Sequence, residues 1–135
     1  MLAVATWNLE NLFCPGADAG PSDQGSYDAK LTTLANTIRL LSPDVLAVQE
    51  VGDPAALDDL RARLGGAWNA ALSAEPDGRG IRVGFLARLP LTDVEPVRLF
   101  PAGTAPVQLD DAGAATDRMG RGALRVRVAV EGATG

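Results

Sequence analysis

Pro43-Asp44-Val45-Leu46-Ala47-Val48-Gln49-Glu50-Val51 reads as a short, continuously apolar strand that delivers one metal- or phosphate-capable polar side chain, Glu50, near its end. An apolar run of that length fits a strand covered on both faces. Immediately upstream, Leu31, Leu34, Ile38 and Leu41 recur at helical spacing, and Ser26 or Asp28 is expected to cap that helix. Pro43 closes it, because a residue preceding proline is pushed out of the helical region. Residues 15–25, with three Gly and two Pro, form a loop. Residues 1–9 form the first strand, which runs into the segment Thr6-Trp7-Asn8-Leu9-Glu10-Asn11-Leu12-Phe13 and carries Asn8 near its end. The unit is strand–helix–strand. Its simplest topology is a crossover that sets the two strands parallel, so that Asn8 and Glu50 meet at one sheet edge, where open sheets place ligands.

Downstream, Asp53-Pro54 starts a second helix over residues 55–64, with Leu57, Leu60 and Leu64 on one face and Gly65-Gly66 as its stop. Residues 68–72 and 81–87 read as strands separated by a turn at Glu75-Pro76-Asp77-Gly78. Residues 94–100 form a further strand that Pro96 confines to an edge or a bulge. Residues 101–122, rich in Gly, Pro and Asp, read as loop. In residues 123–130, Leu124, Val126 and Val128 alternate with Arg125 and Arg127, and Glu131-Gly132 follows as the turn of a hairpin. The fold class is α/β (α+β), a mixed sheet with flanking helices.

Composition limits the function. At 135 residues the chain fits one domain. A net charge of −5 argues against a basic surface that holds nucleic acid by phosphate neutralisation alone. It leaves room for a metal-dependent enzyme acting on phosphates, because the cation supplies local positive charge. Cys14 is the only cysteine, so neither an intrachain disulfide nor a zinc cluster can form. No apolar run approaches the ~18 residues of a membrane span. The first basic residue is Lys30, so the chain as given shows no secretory signal. Compartment stays open.

Glu50 offers two hard oxygens and Asn8 a neutral amide oxygen, a pairing suited to a cation that keeps several waters, such as Mg2+ or Mn2+. The spacing by itself favours a glutamate that ends a strand at the surface and an asparagine that closes a turn. Glu10 and Asn11 either support Asn8 or turn the chain. Arg118 and Arg121, in or beside the Gly-rich loop, are candidates for substrate contact. Arg79, Arg82 and Arg88 around one strand are either phosphate contacts or solvated flanks. Asp110, Asp111 and Asp117 belong to a solvated loop, and Trp7 and Trp68 to the core.

Trp7-Asn8, the helix over residues 30–41, Pro43-Asp44 and Gln49-Glu50 fall in the order and spacing of the opening motifs of the endonuclease/exonuclease/phosphatase superfamily, which they resemble. Arg82-Val83-Gly84-Phe85-Leu86-Ala87-Arg88 looks like that family's next core strand. Arg121-Gly122-Ala123-Leu124 looks like the strand before its first catalytic hairpin. The resemblance implies the N-terminal part of a four-layer α/β/β/α sandwich. It also implies metal-dependent hydrolysis of phosphoester bonds by a nuclease or phosphodiesterase, with Mg2+ or Mn2+ as cofactor and a phosphoester, nucleic acid included, as substrate. Glu50 then ligates the metal, and Asn8 orients the metal, its water or the scissile phosphate. Both count as catalytic and metal-site residues; Arg121, Arg118 and Glu10 count as substrate contacts.

One departure bears on activity. The family's C-terminal half brings a His-bearing strand, a Gly-Asp-x-Asn segment and an Asp-His pair, whereas this chain has no histidine and no Gly-Asp followed two residues on by Asn. The expectation is that residues 1–135 are the N-terminal part of one such domain, with its catalytic C-terminal half absent and the isolated chain inactive. The alternative is a catalytically inactive truncated module for binding, which self-associates or pairs through an uncovered sheet edge beside Leu124, Val126 and Val128.

Overall fold

The hydrophobic spacing around residue 46 becomes the centre of the molecule. The computed structural model describes residues 1–104 and 106–130. In chain order the elements are β1 (Val4–Leu12), α1 (Gln24–Leu41), β2 (Val45–Val51), α2 (Pro54–Leu64) and β3 (Asn69–Leu72). They continue with β4 (Arg82–Ala87), β5 (Leu91–Leu99), β6 (Gln108–Leu109), β7 (Ala115–Thr116) and β8 (Arg118–Val128). The main sheet has the order β1-β2-β4-β3. β1 and β2 run parallel, with Val4 opposite Val45 and Asn8 opposite Gln49. β4 runs antiparallel to both β2 and β3.

Alternation along the strands sends Leu9, Leu46, Val48 and Leu86 to one face of the sheet. There they join Leu31, Leu34, Ala35 and Ile38 of α1 and Leu57, Leu60 and Leu64 of α2 in one core. Trp7 and Trp68 pack at its margin, as expected, and Arg88 lies over the Trp68 ring, 5.2 Å from its centroid. On the opposite face, Ala47, Gln49, Val83 and Phe85 line a cavity with Ala123 and Leu124 of β8. β8 pairs antiparallel with β5 in a second, two-stranded sheet. Helices, main sheet and second sheet thus form three successive layers, a partial α/β sandwich.

Several local expectations are corrected. α1 begins at Gln24 and is capped by Asp23, not by Ser26 or Asp28: the Asp23 carboxylate accepts the Ser26 N–H at 2.7 Å. Asp23 precedes the first helical residue with extended backbone, the geometry a side-chain cap needs, whereas Ser26 and Asp28 already lie inside the helix. The turn after β3 closes at Asp77–Gly80, two residues later than read, because the Asp77 carboxylate bonds the N–H groups of Arg79 and Ile81. β5 starts at Leu91; its register breaks between Thr92 and Glu95, beside Pro96. Residues 101–122 are not all loop. The short β6–β7 hairpin lies within them, and β8 begins at Arg118, so Arg118 and Arg121 are strand residues. Tertiary pairing with β5 overrides the local glycine content there. The turn read at Glu131-Gly132 lies outside the described residues. No helix among the described residues is long and apolar enough to cross a membrane.

Candidate functional site

The two parallel strands end together, and both ends are irregular. Between Asn8 and Leu12, β1 advances further than β2 does between Gln49 and Val51. β2 carries an extra residue against β4 over the same stretch. Such bulges re-aim side chains. Glu10, Asn11 and Glu50 all adopt left-handed backbone, with φ of 51°, 56° and 60°. That conformation typically costs about 1–3 kcal/mol for a residue other than glycine and gathers at functional sites; Asn bears it most readily.

Hydrogen bonds hold this arrangement. The Asn8 side-chain oxygen accepts the Glu10 N–H at 2.8 Å, and one Glu50 carboxylate oxygen accepts the Asn11 N–H at 3.1 Å. Lys30 reaches across from α1, and its ammonium donates to the carbonyl of Glu10 and, at 3.2 Å, to that of Asn11. Burial pushes the Lys30 ammonium pKa down, and the nearby Glu10 and Glu50 carboxylates only partly offset that. Behind the site, the Gly52 N–H donates to the Leu12 carbonyl at 2.9 Å, and Arg82 donates to the Gly52 carbonyl at 2.5 Å. Gly52 leaves room for the Phe13 ring: a Cβ there would lie 2.2 Å from two ring carbons.

Asn8, Glu10 and Glu50 therefore come together at one sheet edge, with Asn11 and Lys30 added. Asn8, Glu10 and Lys30 line a groove between β1 and α1. Lys30 was not singled out from sequence. The available signal was its type: it is the chain's only lysine, among eleven arginines.

Arg121 pairs with a different carboxylate, Asp77. It lines a separate cavity with Ser73, Asp77 and Arg98 and donates to one Asp77 oxygen from both Nε (2.9 Å) and Nη2 (2.7 Å). Arg118, at the start of β8, donates its backbone N–H to Thr116 Oγ1. Burial raises the Asp77 carboxyl pKa, but the Ile81 N–H, the Arg121 guanidinium and the Arg79 N–H together hold it below the usual range. A carboxyl with a depressed folded pKa stabilises the fold fully above its unfolded value, about 3.9, and that contribution disappears as pH falls through the folded value. Asp77→Asn is thus expected to lower the urea midpoint at neutral pH, with its gap from the parent narrowing below about pH 4. A gap constant from pH 7 to pH 2 would contradict the pairing.

Cys14 is a half-buried thiol whose Sγ lies 3.9 Å from the Tyr27 hydroxyl, and burial holds its pKa above the usual value. It is protonated at neutral pH and serves as packing.

The donors at the strand ends suit a hard cation. The Asn11 side-chain oxygen is buried with no hydrogen-bond partner, an acceptor whose desolvation goes uncompensated unless a ligand meets it. Glu50, Asn8 and Asn11 supply oxygens only, the preference of Mg2+ and Mn2+. Among the described residues, no three His, Cys, Asp or Glu side chains converge as a ligand cluster. A cation held here would keep much of its water.

A model of the Endonuclease/Exonuclease/phosphatase family matches residues 5–129. None of the curated proteins matches the chain. Among solved structures, truncated TDP2 of Caenorhabditis elegans is similar at 20% identity with a TM-score of 0.49, over 76% of this chain and 36% of that one. The human Nocturnin catalytic domain, with bound sulfate anion, is similar at 20% identity with a TM-score of 0.46, over 86% of this chain and 41% of that one. The chain therefore spans well under half the length of either.

Proposed function

The chain belongs to the endonuclease/exonuclease/phosphatase family, and on that footing we propose that it supplies the cation-holding edge of a phosphoester hydrolase, a nuclease or phosphodiesterase. The observation that carries this reading is that Asn8, Asn11 and Glu50 stand at the irregular ends of two parallel strands, where the Asn11 N–H bonds the Glu50 carboxylate, Glu10, Asn11 and Glu50 have left-handed backbone, and the Asn11 side-chain oxygen is buried without a partner. Glu50, Asn8 and Asn11 would hold Mg2+ or Mn2+. When bound, such an ion neutralises charge on phosphoryl oxygens and polarises the phosphorus centre.

The chain's own residues orient that site. The Asn11 N–H fixes one oxygen of Glu50 and leaves the other for a ligand, and the Asn8 side chain pins the turn at Glu10. In this proposal residues 1–135 form the N-terminal part of the domain, and a C-terminal part supplies the base that activates water. Positioned acid–base groups contribute roughly 10²–10⁴-fold, so hydrolysis by the segment alone is expected to be slight. Arg121 and Arg118 remain proposed substrate contacts; Arg121 would have to exchange its Asp77 partner for phosphate.

The testing experiment is Mn2+ titration of the chain and of Glu50→Gln, followed by water-proton relaxation. Unchanged binding in Glu50→Gln would remove the proposal.

A further inference from the structure

Lys30 is the one charged side chain of α1 that reaches the distorted strand ends, and what it touches there is backbone. Its ammonium donates to the carbonyls of Glu10 and Asn11, the two consecutive left-handed residues of β1. Two adjacent residues in that conformation are strained, so an external tether is needed to keep them from relaxing. The same two residues carry the N–H groups that bond the Asn8 oxygen and the Glu50 carboxylate. One ammonium thus fixes the outer side of a turn whose inner side orients both site residues. A compact ammonium with three rotatable donors suits two neighbouring carbonyls, whereas a planar guanidinium fork suits carboxylates and phosphates. Lys30 also lines the groove that contains Asn8 and Glu10.

We infer that Lys30 is a positioning residue: it holds the left-handed step at Glu10 and Asn11 and thereby sets Glu50 and Asn8 for cation binding. The inference rests on the proposed cation site, and it has a signature of its own. A simple electrostatic role predicts the opposite outcome, because removing a positive charge next to a cation site should tighten cation binding.

The test compares the parent chain with Lys30→Met, Lys30→Gln and Lys30→Arg, by amide hydrogen exchange without metal and by Mn2+ titration. In Lys30→Met the Asn11 and Glu10 amides are expected to exchange at least about tenfold faster, the scale of losing a charge-assisted hydrogen bond. Amides of Leu46 and Val48 should keep their protection. Mn2+ affinity should fall by about fivefold or more, and Lys30→Arg, which keeps a cationic donor, should recover part of both effects. Unchanged exchange at Asn11, or Mn2+ binding that is equal or tighter in Lys30→Met, would overturn the inference. Loss of cooperative unfolding in both Lys30→Met and Lys30→Gln would overturn it too, by making Lys30 a residue of the fold. If Glu50→Gln leaves Mn2+ binding unchanged, the cation site itself fails. The exchange measurement then decides by itself whether Lys30 tethers the turn.

Discussion

Glu50→Gln is expected to weaken Mn2+ binding by at least about tenfold while leaving the urea midpoint nearly unchanged. The substitution keeps size and shape, and the new amide oxygen can still accept the Asn11 N–H that Glu50 now receives at 3.1 Å. What it removes is charge. Among the described residues no cluster of three acidic or other ligating side chains stands by to compensate. Asn8 and Asn11 contribute neutral oxygens, which bind a hard cation weakly without a carboxylate. In the proposed hydrolase, joined to a C-terminal part, the same change should lower phosphodiester hydrolysis by roughly 10²-fold or more, since electrostatic stabilisation of developing charge is usually the largest single contribution to rate. A large loss of stability together with weaker binding would instead assign Glu50 to the fold. Hydrolysis equal to that of the parent would assign the chemistry elsewhere.

The second large effect concerns the core. Leu46→Ala should cost about 2–5 kcal/mol, measured by urea unfolding. Leu46 is fully buried in the strand between β1 and β4, opposite Ala5 and Leu86 in register, and its side chain faces α1 and α2. Strand neighbours on both sides limit how far the site can collapse around the cavity. A domain of ordinary stability has only about 5–15 kcal/mol in total, so a large part of it is at stake. Leu124→Ala, on half-buried β8 between the two sheets, should cost clearly less. The reverse ranking would mean that the principal core lies between the sheets instead of beneath the helices.

Much of this arrangement is legible in the residues. Leu31, Leu34 and Ile38 mark the buried face of α1, and the apolar run ending at Glu50 marks a strand covered on both sides. The parallel pairing of β1 with β2 follows from the strand–helix–strand order, and with it the meeting of Asn8 and Glu50. Arg125 and Arg127 alternate outward from Leu124 and Val126, and they pair with Glu95 and Asp93. The extent of β8 is not legible, because Met119-Gly120-Arg121-Gly122 reads locally as loop, and only the partner strand β5 makes it extended. Nor is the partner of Arg121. Arg121 meets Asp77, 44 residues earlier, and a contact that distant leaves no local pattern.

By itself, then, the sequence determined the two helices, the strands of the main sheet, their order and the two polar residues that the crossover unit brings to one edge, because periodicity and turn chemistry are properties of neighbouring residues. Only the tertiary structure decided how that edge is shaped. The left-handed steps at Glu10, Asn11 and Glu50, the Lys30 tether and the unpartnered Asn11 oxygen arise where two strands of unequal length must end together beneath a helix. No residue in isolation prefers that geometry; packing imposes it on all of them at once.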